Sequence, residues 1–404
     1  MNYQTQLLPA VTVKEDPSAL RKLLEPAAEV IQNGGLVAFP TETVYGLGAS
    51  ITFPSAIAEV FRIKGRPNDN PLIVHVPDVA AIEPLVKTFS SAARALAEAF
   101  MPGPLTLVLP RSQIVPDCVT AGLDTVGVRV PESPITRMLV RLAGLPMAGP
   151  SANLSGRPSP TNAAHVLQDL SGLIPFVIDG GPSRVGLEST VLDMSSTQPQ
   201  ILRPGAITAE AILGVLDARG FTFPGKDWRG ILLESGLELH KTEAGTVPRA
   251  PGMKYRHYAP DAPVTLIEGD SGAERLEFLL NLLTELYKNK ADFRAAIFAG
   301  RELIDAIRER LMLTYGSMID ICEQNLDGWD KEDVREDNQT PIIYTYDYGE
   351  EGDSVAAAQH LFDALRTLDS RHPDVIFASA LPEDRIGAAY MNRLRKAVSS
   401  TEEK

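Results

Sequence analysis

The sequence predicts an α/β protein with a mixed sheet in its N-terminal half and a smaller parallel sheet after it. Crossover helices and strand pairs both occur over about residues 13–215, which indicates a mixed sheet. From residue 263 onward, single strands alternate with single helices, which favours a Rossmann-like parallel α/β domain. The stretch between is rich in glycine, proline and isolated charges and has no period, which is typical of a linker. The predicted segments are an N-terminal arm (1–12), a catalytic domain (13–218), a linker or strap (219–262) and a C-terminal domain (263–404).

The elements of the first domain follow from hydrophobic spacing and from capping residues. Asp16 can cap a helix that Pro17 begins, and its leucines recur at helical spacing until Gly34 and Gly35 end it. The other predicted helices are 54–64, two short ones within 78–100, 135–142, 161–170 and 208–218. The predicted strands are 36–39, 72–76, 105–109, 126–130, 146–150, 176–179, 189–193 and 200–203.

The second domain has a simpler pattern. Its predicted strands are 264–267, 295–298, 341–346 and 375–378, and its helices are 273–288, 354–369 and 385–397. No Gly-x-Gly-x-x-Gly fingerprint is present, so a dinucleotide is not implied. The acidic segment 327–337 is interpreted as a solvated loop.

Composition excludes several classes of protein. The chain has 404 residues, of which 44% are hydrophobic and 22% charged, as in soluble globular proteins. No apolar run approaches the roughly 20 residues that span a bilayer, and no signal-like segment opens the chain, so we expect a cytoplasmic protein without a membrane partner. Two distant cysteines, Cys118 and Cys322, argue against a disulfide framework. The net charge of -14 argues against extensive nucleic-acid binding but leaves a local basic patch open.

Two neighbouring stretches suggest a site for a small ligand. A buried strand, Leu36 to Phe39, leads into a loop of small hydroxyl and carboxylate side chains that ends at Gly48. Lys64 and Arg66 follow, and the proline after Arg66 favours an extended backbone in which both cations project to the same side. Such a pair can hold a polyphosphate. The alternative is a solvated basic turn.

Ser151 and Asn153 carry two further interpretations. Both side chains can donate hydrogen bonds to phosphate oxygens or to water around a metal. Gly149-Pro-Ser151-Ala-Asn153 also comes close to the Gly-x-Ser-x-Gly turn of serine hydrolases, although asparagine stands at the final glycine. His165, His240 and His257 follow in the chain, but none has persuasive surroundings. A hydrolase therefore stays only as an alternative.

Charged residues at strand positions mark further candidates. Arg129 lies inside an apolar strand, where a buried guanidinium needs either an acidic partner or an acidic ligand. His75 is by default a satisfied core histidine. The glycine-punctuated loop 180–190 could present backbone amides to an anion, and Arg203 adds a cation at a strand end. Residues 250–260 form either a surface connector or a strap across the ligand site.

Together four motifs, found in order and at compatible spacing, resemble the long, two-domain form of the threonylcarbamoyl-AMP synthase family, which is YrdC-like. The motifs are Phe39–Gly48, Lys64–Pro67, Pro150–Gly156 and Pro251–Tyr258. The resemblance implies a YrdC-like twisted mixed sheet and synthesis of L-threonylcarbamoyladenylate from L-threonine, bicarbonate and ATP. The product would pass to the tRNA threonylcarbamoyl transferase machinery that forms N6-threonylcarbamoyladenosine.

The resemblance also implies roles for individual residues. The catalytic tetrad would be Lys64, Arg66, Ser151 and Asn153. The L-threonine site would comprise Thr43, His75, Arg129 and Ser189. The ATP site would comprise Arg66, Asn70, Thr125, Ser151, Ser159 and Arg203, with Tyr255 or Tyr258 from the linker. Ala250 departs from the serine expected before Pro-Gly-Met.

One cofactor and one rival function complete the expectations. Mg²⁺ would be held mainly by the nucleotide phosphates, so no dedicated protein ligands are expected. The rival is a double-stranded RNA-binding module without turnover, because a concave basic surface on the first domain would serve either role. The negative total charge and the small side chains at Thr41, Thr43 and Ser151 favour a compact ligand.

Overall fold

The fold is described from a computed structural model. It describes residues 3–224, 227–237, 248–251, 258–290, 292–325, 328–329 and 340–398. The chain divides into two compact units, of which the first comprises Met1–Tyr255 with Asp384–Ala389 and the second Arg256–Glu383 with Tyr390–Lys404. No helix among the described residues is long and apolar enough to cross a membrane.

The first unit is built on a mixed sheet. Its strands are Gln6–Leu8 (β1), Val37–Phe39 (β2), Gly46–Ser50 (β3), Ile73–His75 (β4), Leu105–Pro110 (β5), Thr125–Arg129 (β6), Met147–Ala148 (β7), Phe176–Ile178 (β8), Thr190–Asp193 (β9) and Gln200–Arg203 (β10). Their order across the sheet is β1-β8-β2-β3-β7-β4-β6-β5-β9-β10. Parallel pairs such as β4 with β6 alternate with antiparallel pairs such as β5 with β6, which confirms the predicted mixed sheet.

Helices cover this sheet. They are Pro17–Gln32 (α1), Pro54–Lys64 (α2), Ser91–Phe100 (α3), Asp117–Thr120 (α4), Pro134–Ala143 (α5), Ala163–Leu170 (α6), Ala209–Ala218 (α7) and Trp228–Leu237 (α8), with 3-10 turns at Ala10–Thr12 and Ala80–Leu85.

The prediction for α1 is confirmed, since the Asp16 carboxylate accepts hydrogen bonds from the Ser18 and Ala19 amides and Pro17 is the first helical residue. α6 begins at Ala163 instead of at the predicted residue 161, because the Asn162 side chain caps it by accepting from the His165 amide.

The core lies on both faces of the sheet. Successive side chains of a strand point to opposite faces, so Val37 and Phe39 pack with α1 and α5 in one hydrophobic cluster. Ala38 lies in a second cluster with α2, α3, α6, α7 and α8. Burial of these apolar faces stabilises the unit by about 25 cal/mol for each Å² removed from water.

The second unit has a sheet of its own. Its strands are Val264–Ile267 (β11), Arg294–Ala299 (β12), Asp320–Asn325 (β13), Gly328–Trp329 (β14), Ile342–Asp347 (β15) and Val375–Ser379 (β16), in the order β11-β16-β12-β15-β13-β14. All of the neighbours from β11 to β13 run parallel, and β14 adds a short antiparallel edge. The helices of this part of the chain are Gly272–Asn289 (α9), Arg301–Tyr315 (α10), Ser354–Asp369 (α11) and Arg385–Ala397 (α12), with a 3-10 turn at Gly316–Met318. The Rossmann-like parallel α/β prediction is confirmed.

Two parts of the predicted domain organisation need correction. Residues 6–8 of the predicted arm form β1, which pairs in parallel with β8 and extends the main sheet. The predicted linker contains α8, whose Trp228 and Leu232 lie one helical turn apart and are buried in the core of the first unit. Gly230 within the helix and the surrounding glycines and prolines hid its period. The boundaries at 218 and 262 stay predictions.

Candidate functional site

One face of β4, β5 and β6 carries polar side chains, whereas the opposite face of these strands is apolar. Val74, Leu107 and Val128 point into the core beneath α2 and α3. The alternate positions point to the other face, and they hold predicted site residues: His75 on β4, and Thr125 and Arg129 on β6. His75 and Arg129 are direct neighbours in the parallel pairing of β4 with β6. The alternation therefore gathers residues that are distant in sequence.

Lys64 lies in a cage of oxygen atoms from the 151–153 loop. It is the last residue of α2 and is only 3% exposed. Its Nζ donates to the backbone oxygen of Ser151 at 2.5 Å, to that of Asn153, and to Asn153 Oδ1 at 3.4 Å. The Ser151 hydroxyl in turn donates to Asn153 Oδ1 at 2.5 Å. Three of the four predicted tetrad residues therefore converge.

The geometry predicted for Lys64 and Arg66 is wrong. Lys64 is helical, and Gly65 adopts a left-handed φ of 61°, which ends α2 as glycine commonly does. The alternation of side chains along an extended segment therefore does not apply to this pair. Arg66 Nη2 donates to the Pro71 backbone oxygen at 3.4 Å. The predicted roles of both residues do not depend on the extended geometry and stay predictions.

Asn70 has an unusual environment for a buried amide. Its side chain is fully buried, and neither its oxygen nor its nitrogen has a hydrogen-bond partner among the described residues. An unsatisfied buried amide costs about 1–3 kcal/mol, so a ligand or water that pairs with it would recover that energy. The role of Asn70 at the ATP site stays a prediction.

A second polar cluster joins β5, β9 and β10. The Thr106 and Ser189 hydroxyls are 2.8 Å apart and both residues are fully buried. Arg203 donates from Nε to the Ser189 backbone oxygen at 3.1 Å and from Nη2 to the Ser189 hydroxyl at 3.2 Å. The structure thus brings together Ser189 and Arg203, which the sequence assigned to the threonine and ATP sites respectively.

Residues 248–251 of the predicted strap lie against this cluster. Ala250 is buried against Val108, Val191 and Leu202, which leaves no need there for the expected serine hydroxyl. The Pro251 backbone oxygen accepts a hydrogen bond from Arg203 Nη1 at 3.2 Å. Arg249 forms an ion pair with Asp193 at the end of β9.

A pocket opens beside this contact. Arg249 and Pro251 line it together with Thr106, Thr125 and Gly127. Gly127 leaves room on this face, since a Cβ there would approach Thr106 Cγ2 to 3.3 Å. The described part of the strap therefore forms a wall of a pocket that contains Thr125, a predicted ATP-site residue.

Arg129 has an acidic protein partner, which is one of the two alternatives that the sequence leaves open for this residue. Its Nη2 donates to Glu42 Oε1 at 2.7 Å, and the two side chains are 5% and 4% exposed. The neighbouring Thr43 is fully buried, and its hydroxyl lies 2.8 Å from that of Thr41. The loop between β2 and β3 thereby connects Thr43 to Arg129 of β6 through Glu42, and both Thr43 and Arg129 are predicted residues of the L-threonine site.

His75 is neutral in this environment. Complete burial and, secondarily, the nearby positive charge of Arg129 lower the pKa of His75 to about 3. Its ring packs edge-on against Phe39 with centroids 5.3 Å apart, and Nδ1 has no hydrogen-bond partner among the described residues. A neutral imidazole with an open nitrogen suits a ligand hydroxyl or amine better than an ion pair.

Of the remaining predicted residues, Ser159 bonds to Glu188, which precedes Ser189 in the chain. The Ser159 hydroxyl donates to Glu188 Oε1 at 2.6 Å, and both residues are buried. Tyr258 belongs to the second unit, where its ring is buried 5.0 Å from that of Phe362. Tyr255 lies outside the described residues. The predicted contacts of these residues with a nucleotide stay predictions.

The described residues give the hydrolase alternative no geometric support, and two of its candidate histidines, His240 and His257, lie outside them. Ser151 directs its hydroxyl hydrogen to an amide oxygen, Asn153 Oδ1, instead of to a histidine base. His165 lies within hydrogen-bonding distance of Thr161 and Asn162 on its own helix end.

Comparison with known proteins covers nearly the whole chain. Residues 29–205 match the Sua5/YciO/YrdC family model, which is described as Telomere recombination, and residues 207–399 match the model described as Threonylcarbamoyl-AMP synthase, C-terminal domain. A threonylcarbamoyl-AMP synthase of Pyrococcus abyssi is 40% identical over 92% of each chain, and one of Bacillus subtilis is 36% identical over 96% of each chain. The chain belongs to the threonylcarbamoyl-AMP synthase (Sua5) family.

Solved structures of this family share the two-unit architecture. The crystal structure of P. abyssi Sua5 complexed with L-threonine has a TM-score of 0.72 and 38% identity, covering 93% of this chain and 94% of that one. A doubly substituted P. abyssi Sua5 has a TM-score of 0.75 and 35% identity, covering 97% and 96%. These likenesses confirm the predicted fold class and family.

Sequence reasoning gave no role to three buried side chains near the predicted family residues. Glu42 was seen only as part of a motif, Glu188 as part of a glycine-rich loop, and Thr106 as part of an apolar strand. Strand alternation offered a signal for Thr106, which is the hydroxyl residue inside Leu105–Leu109. The partners of Glu42 and Glu188 are 87 and 29 residues away, so sequence spacing carried no signal for them.

Proposed function

We propose that this protein synthesises L-threonylcarbamoyladenylate from L-threonine, bicarbonate and ATP and releases pyrophosphate. Family membership supports the activity, since the relatives that cover nearly all of this chain carry the name threonylcarbamoyl-AMP synthase. The observation that carries the proposal is that predicted site residues gather in two polar clusters of the first unit. One is Lys64 with Ser151 and Asn153, and the other is Ser189 with Thr106 and Arg203.

The reaction forms two bonds, one from nitrogen to carbon and one from oxygen to phosphorus, and it needs no covalent enzyme intermediate. The threonine amine attacks the carbon of bicarbonate, loses protons and releases water, which leaves a carbamate. A carbamate oxygen then bonds to the α-phosphorus while the bond from that phosphorus to the bridging oxygen of pyrophosphate breaks. The enzyme contributes orientation of the two reactants and stabilisation of charge on the phosphates. Among the described residues, the Ser151 hydroxyl bonds to the Asn153 side chain, which fits such a mechanism.

Each charged residue has a distinct part in this scheme. Arg129 binds the threonine carboxylate while it stays paired with Glu42, and neutral His75 accepts or donates a hydrogen bond to the amino acid. Arg66 and Arg203 neutralise phosphate charge through fork-shaped guanidinium groups. Lys64 and the Asn153 amide, which donates to the Leu154 and Arg157 backbone oxygens, hold the 151–153 loop so that the Ser151 hydroxyl addresses the nucleotide.

Mg²⁺ belongs to this proposal as a companion of ATP. Among the residues that the structure describes, no group of three or more His, Cys, Asp or Glu side chains could hold a metal. The oxygens of Ser151 and Asn153, 2.5 Å apart, suit water ligands of a nucleotide-bound ion better than an all-protein cage. When bound, the ion would neutralise charge on the phosphates.

The strap completes the proposed site. Arg203 joins the Ser189 cluster to the Pro251 backbone, which supports a role for residues 248–251 in excluding water from a labile mixed anhydride. A truncation ending at residue 262 should therefore turn over differently from one ending at residue 237, which keeps the core helix α8. Equal activity of the two would remove the proposed role of the strap.

The deciding experiment is a pyrophosphate-release assay in which L-threonine, bicarbonate and ATP are omitted in turn. We expect release only when all three are present, together with a product that contains both threonine and AMP. Transfer of that product's threonylcarbamoyl group to tRNA would require further proteins. Absence of pyrophosphate release combined with salt-dependent binding of double-stranded RNA would support the rival function instead.

A further inference from the structure

Glu42 is a buried carboxylate with two different donors. Its Oε1 accepts from Arg129 Nη2 at 2.7 Å, and its Oε2 accepts from the Glu132 backbone amide at 2.9 Å. The loop that carries it is itself fixed, because the Glu42 backbone oxygen accepts from the Val185 amide at 2.7 Å. The Thr41 hydroxyl accepts from the amides of Thr43 and Val44. The carboxylate therefore has a defined position.

Arg129 is held on two sides. Nη2 binds Glu42, and Nε donates to the Gly103 backbone oxygen at 3.2 Å. Neither of these two contacts uses Nη1. A guanidinium carries five N–H groups in a plane, so fixing Nε and Nη2 also fixes the direction of the others.

We propose that Glu42 is a positioning residue for L-threonine binding, holding the Arg129 guanidinium so that its remaining N–H groups meet the amino acid's carboxylate. This inference rests on the proposed function. The pair as a whole is neutral, so a zwitterionic amino acid can enter without leaving a net buried charge. Glu42 itself need not touch the substrate, since both of its oxygens already have donors.

Glutamine cannot replace Glu42 in this geometry. Both Glu42 oxygens face donors, whereas a Gln side chain offers one oxygen and one NH₂ group. In Glu42→Gln, the amide NH₂ therefore opposes either the Arg129 guanidinium or the Glu132 amide. The guanidinium then loses its fixed direction, although the protein keeps a side chain of the same size.

The experiment is steady-state kinetics of pyrophosphate release with L-threonine and ATP varied separately. We expect E42Q to raise the KM for L-threonine by about 10-fold or more, the size of one hydrogen bond to a charged group. The KM for ATP should change by less than about threefold. Glu42→Asp keeps the charge and should recover part of the threonine affinity. The matched control is Glu83→Gln, which removes an exposed carboxylate paired with Arg94 at 2.6 Å and should leave both KM values within about twofold.

A double-mutant cycle with Arg129→Lys distinguishes positioning from a structural role. If Glu42 acts through Arg129, the double variant raises the KM for L-threonine no more than the worse single variant does. Additive effects, equal increases in both KM values, or a lower KM for L-threonine in E42Q would each overturn the inference. Thermal shifts on adding L-threonine are measured in parallel, and we expect the shift to shrink in E42Q while unliganded E42Q still unfolds cooperatively. A wild-type protein that releases no pyrophosphate refutes the proposed function, whereas an active wild type with an unaltered E42Q refutes only this inference.

Discussion

Replacement of Lys64 tests whether its main role is to hold the 151–153 loop. In the structure the ammonium donates to the backbone oxygens of Ser151 and Asn153, and its surroundings are closed to water. A methionine at this position would fill the space of the aliphatic stem but offer no donor. An arginine would keep the charge but could not reproduce a compact ammonium among converging acceptors.

The size of the effect follows from these contacts. Hydrogen bonds from a charged donor contribute about 1.5–3 kcal/mol each, and Lys64→Met loses two to backbone oxygens. Because part of the loss is relieved when the loop moves, we expect the free energy of unfolding to fall by about 2–4 kcal/mol. Displacement of Ser151 and Asn153 should lower kcat by about 10²–10³-fold, as for loss of a preorganised donor.

The assays are urea unfolding and pyrophosphate release, compared for wild type, Lys64→Met and Lys64→Arg. A loop-holding role predicts that both variants lose activity to a similar extent. A role as a phosphate-binding charge predicts that Lys64→Arg keeps much of the activity while Lys64→Met loses it. If Lys64→Arg retained more than about a third of wild-type kcat, and Lys64→Met unfolded at the wild-type urea midpoint, the reasoning from this cage would be wrong.

Three further predictions concern stability and use denaturant unfolding. Because the pKa of His75 is about 3 in the folded protein and 6.5 in its ordinary state, the unfolded chain binds the extra proton between these values. The contribution of neutral His75 to the free energy of unfolding is therefore complete above pH 6.5 and decreases by about 1.4 kcal/mol for each unit that the pH falls below it. The difference in free energy of unfolding between wild type and His75→Gln should change with that slope between pH 6.5 and 5. A difference that does not depend on pH would contradict this prediction. Asp16→Ala should cost about 1 kcal/mol through loss of the α1 cap, with Asp16→Asn as the control that retains most of it; equal losses in both variants would exclude capping as the cause. Leu232→Ala should cost about 2–5 kcal/mol, because Leu232 of α8 is fully buried in the first unit, whereas the exposed Ile231→Ala should cost less than about 1 kcal/mol; similar small losses would mean that α8 does not stabilise the unit.

Local sequence rules predicted most elements of both units. The capped start of α1 at Asp16 and Pro17, the extent of α2, and the strand and helix alternation after residue 263 all appear in the structure. These features depend on capping groups and on periods of 2 and 3.6, which act within a few residues. The strand character of residues 6–8 was missed because β1 is stabilised by pairing with β8, some 170 residues away.

The candidate site divides in the same way. The motifs identified Lys64, Ser151 and Asn153. They did not indicate that the lysine donates hydrogen bonds to the backbone oxygens of the other two residues. Arg129 was recognisable as a charge in an apolar strand, yet its protein partner, Glu42, is visible only in the structure. Non-local partners such as these leave no periodic trace in the chain.

The sequence by itself determined the fold class, the family and the residue types of the site, because motifs and hydrophobic periods are properties of neighbouring residues. The tertiary structure alone decided which donors meet which acceptors. Strand alternation placed His75, Thr125 and Arg129 on one face, and chain crossovers brought Glu42, the 151–153 loop and residues 248–251 to their partners. The physical reason is that a buried charge or hydroxyl must find its partner within about 3 Å, and the fold sets that distance.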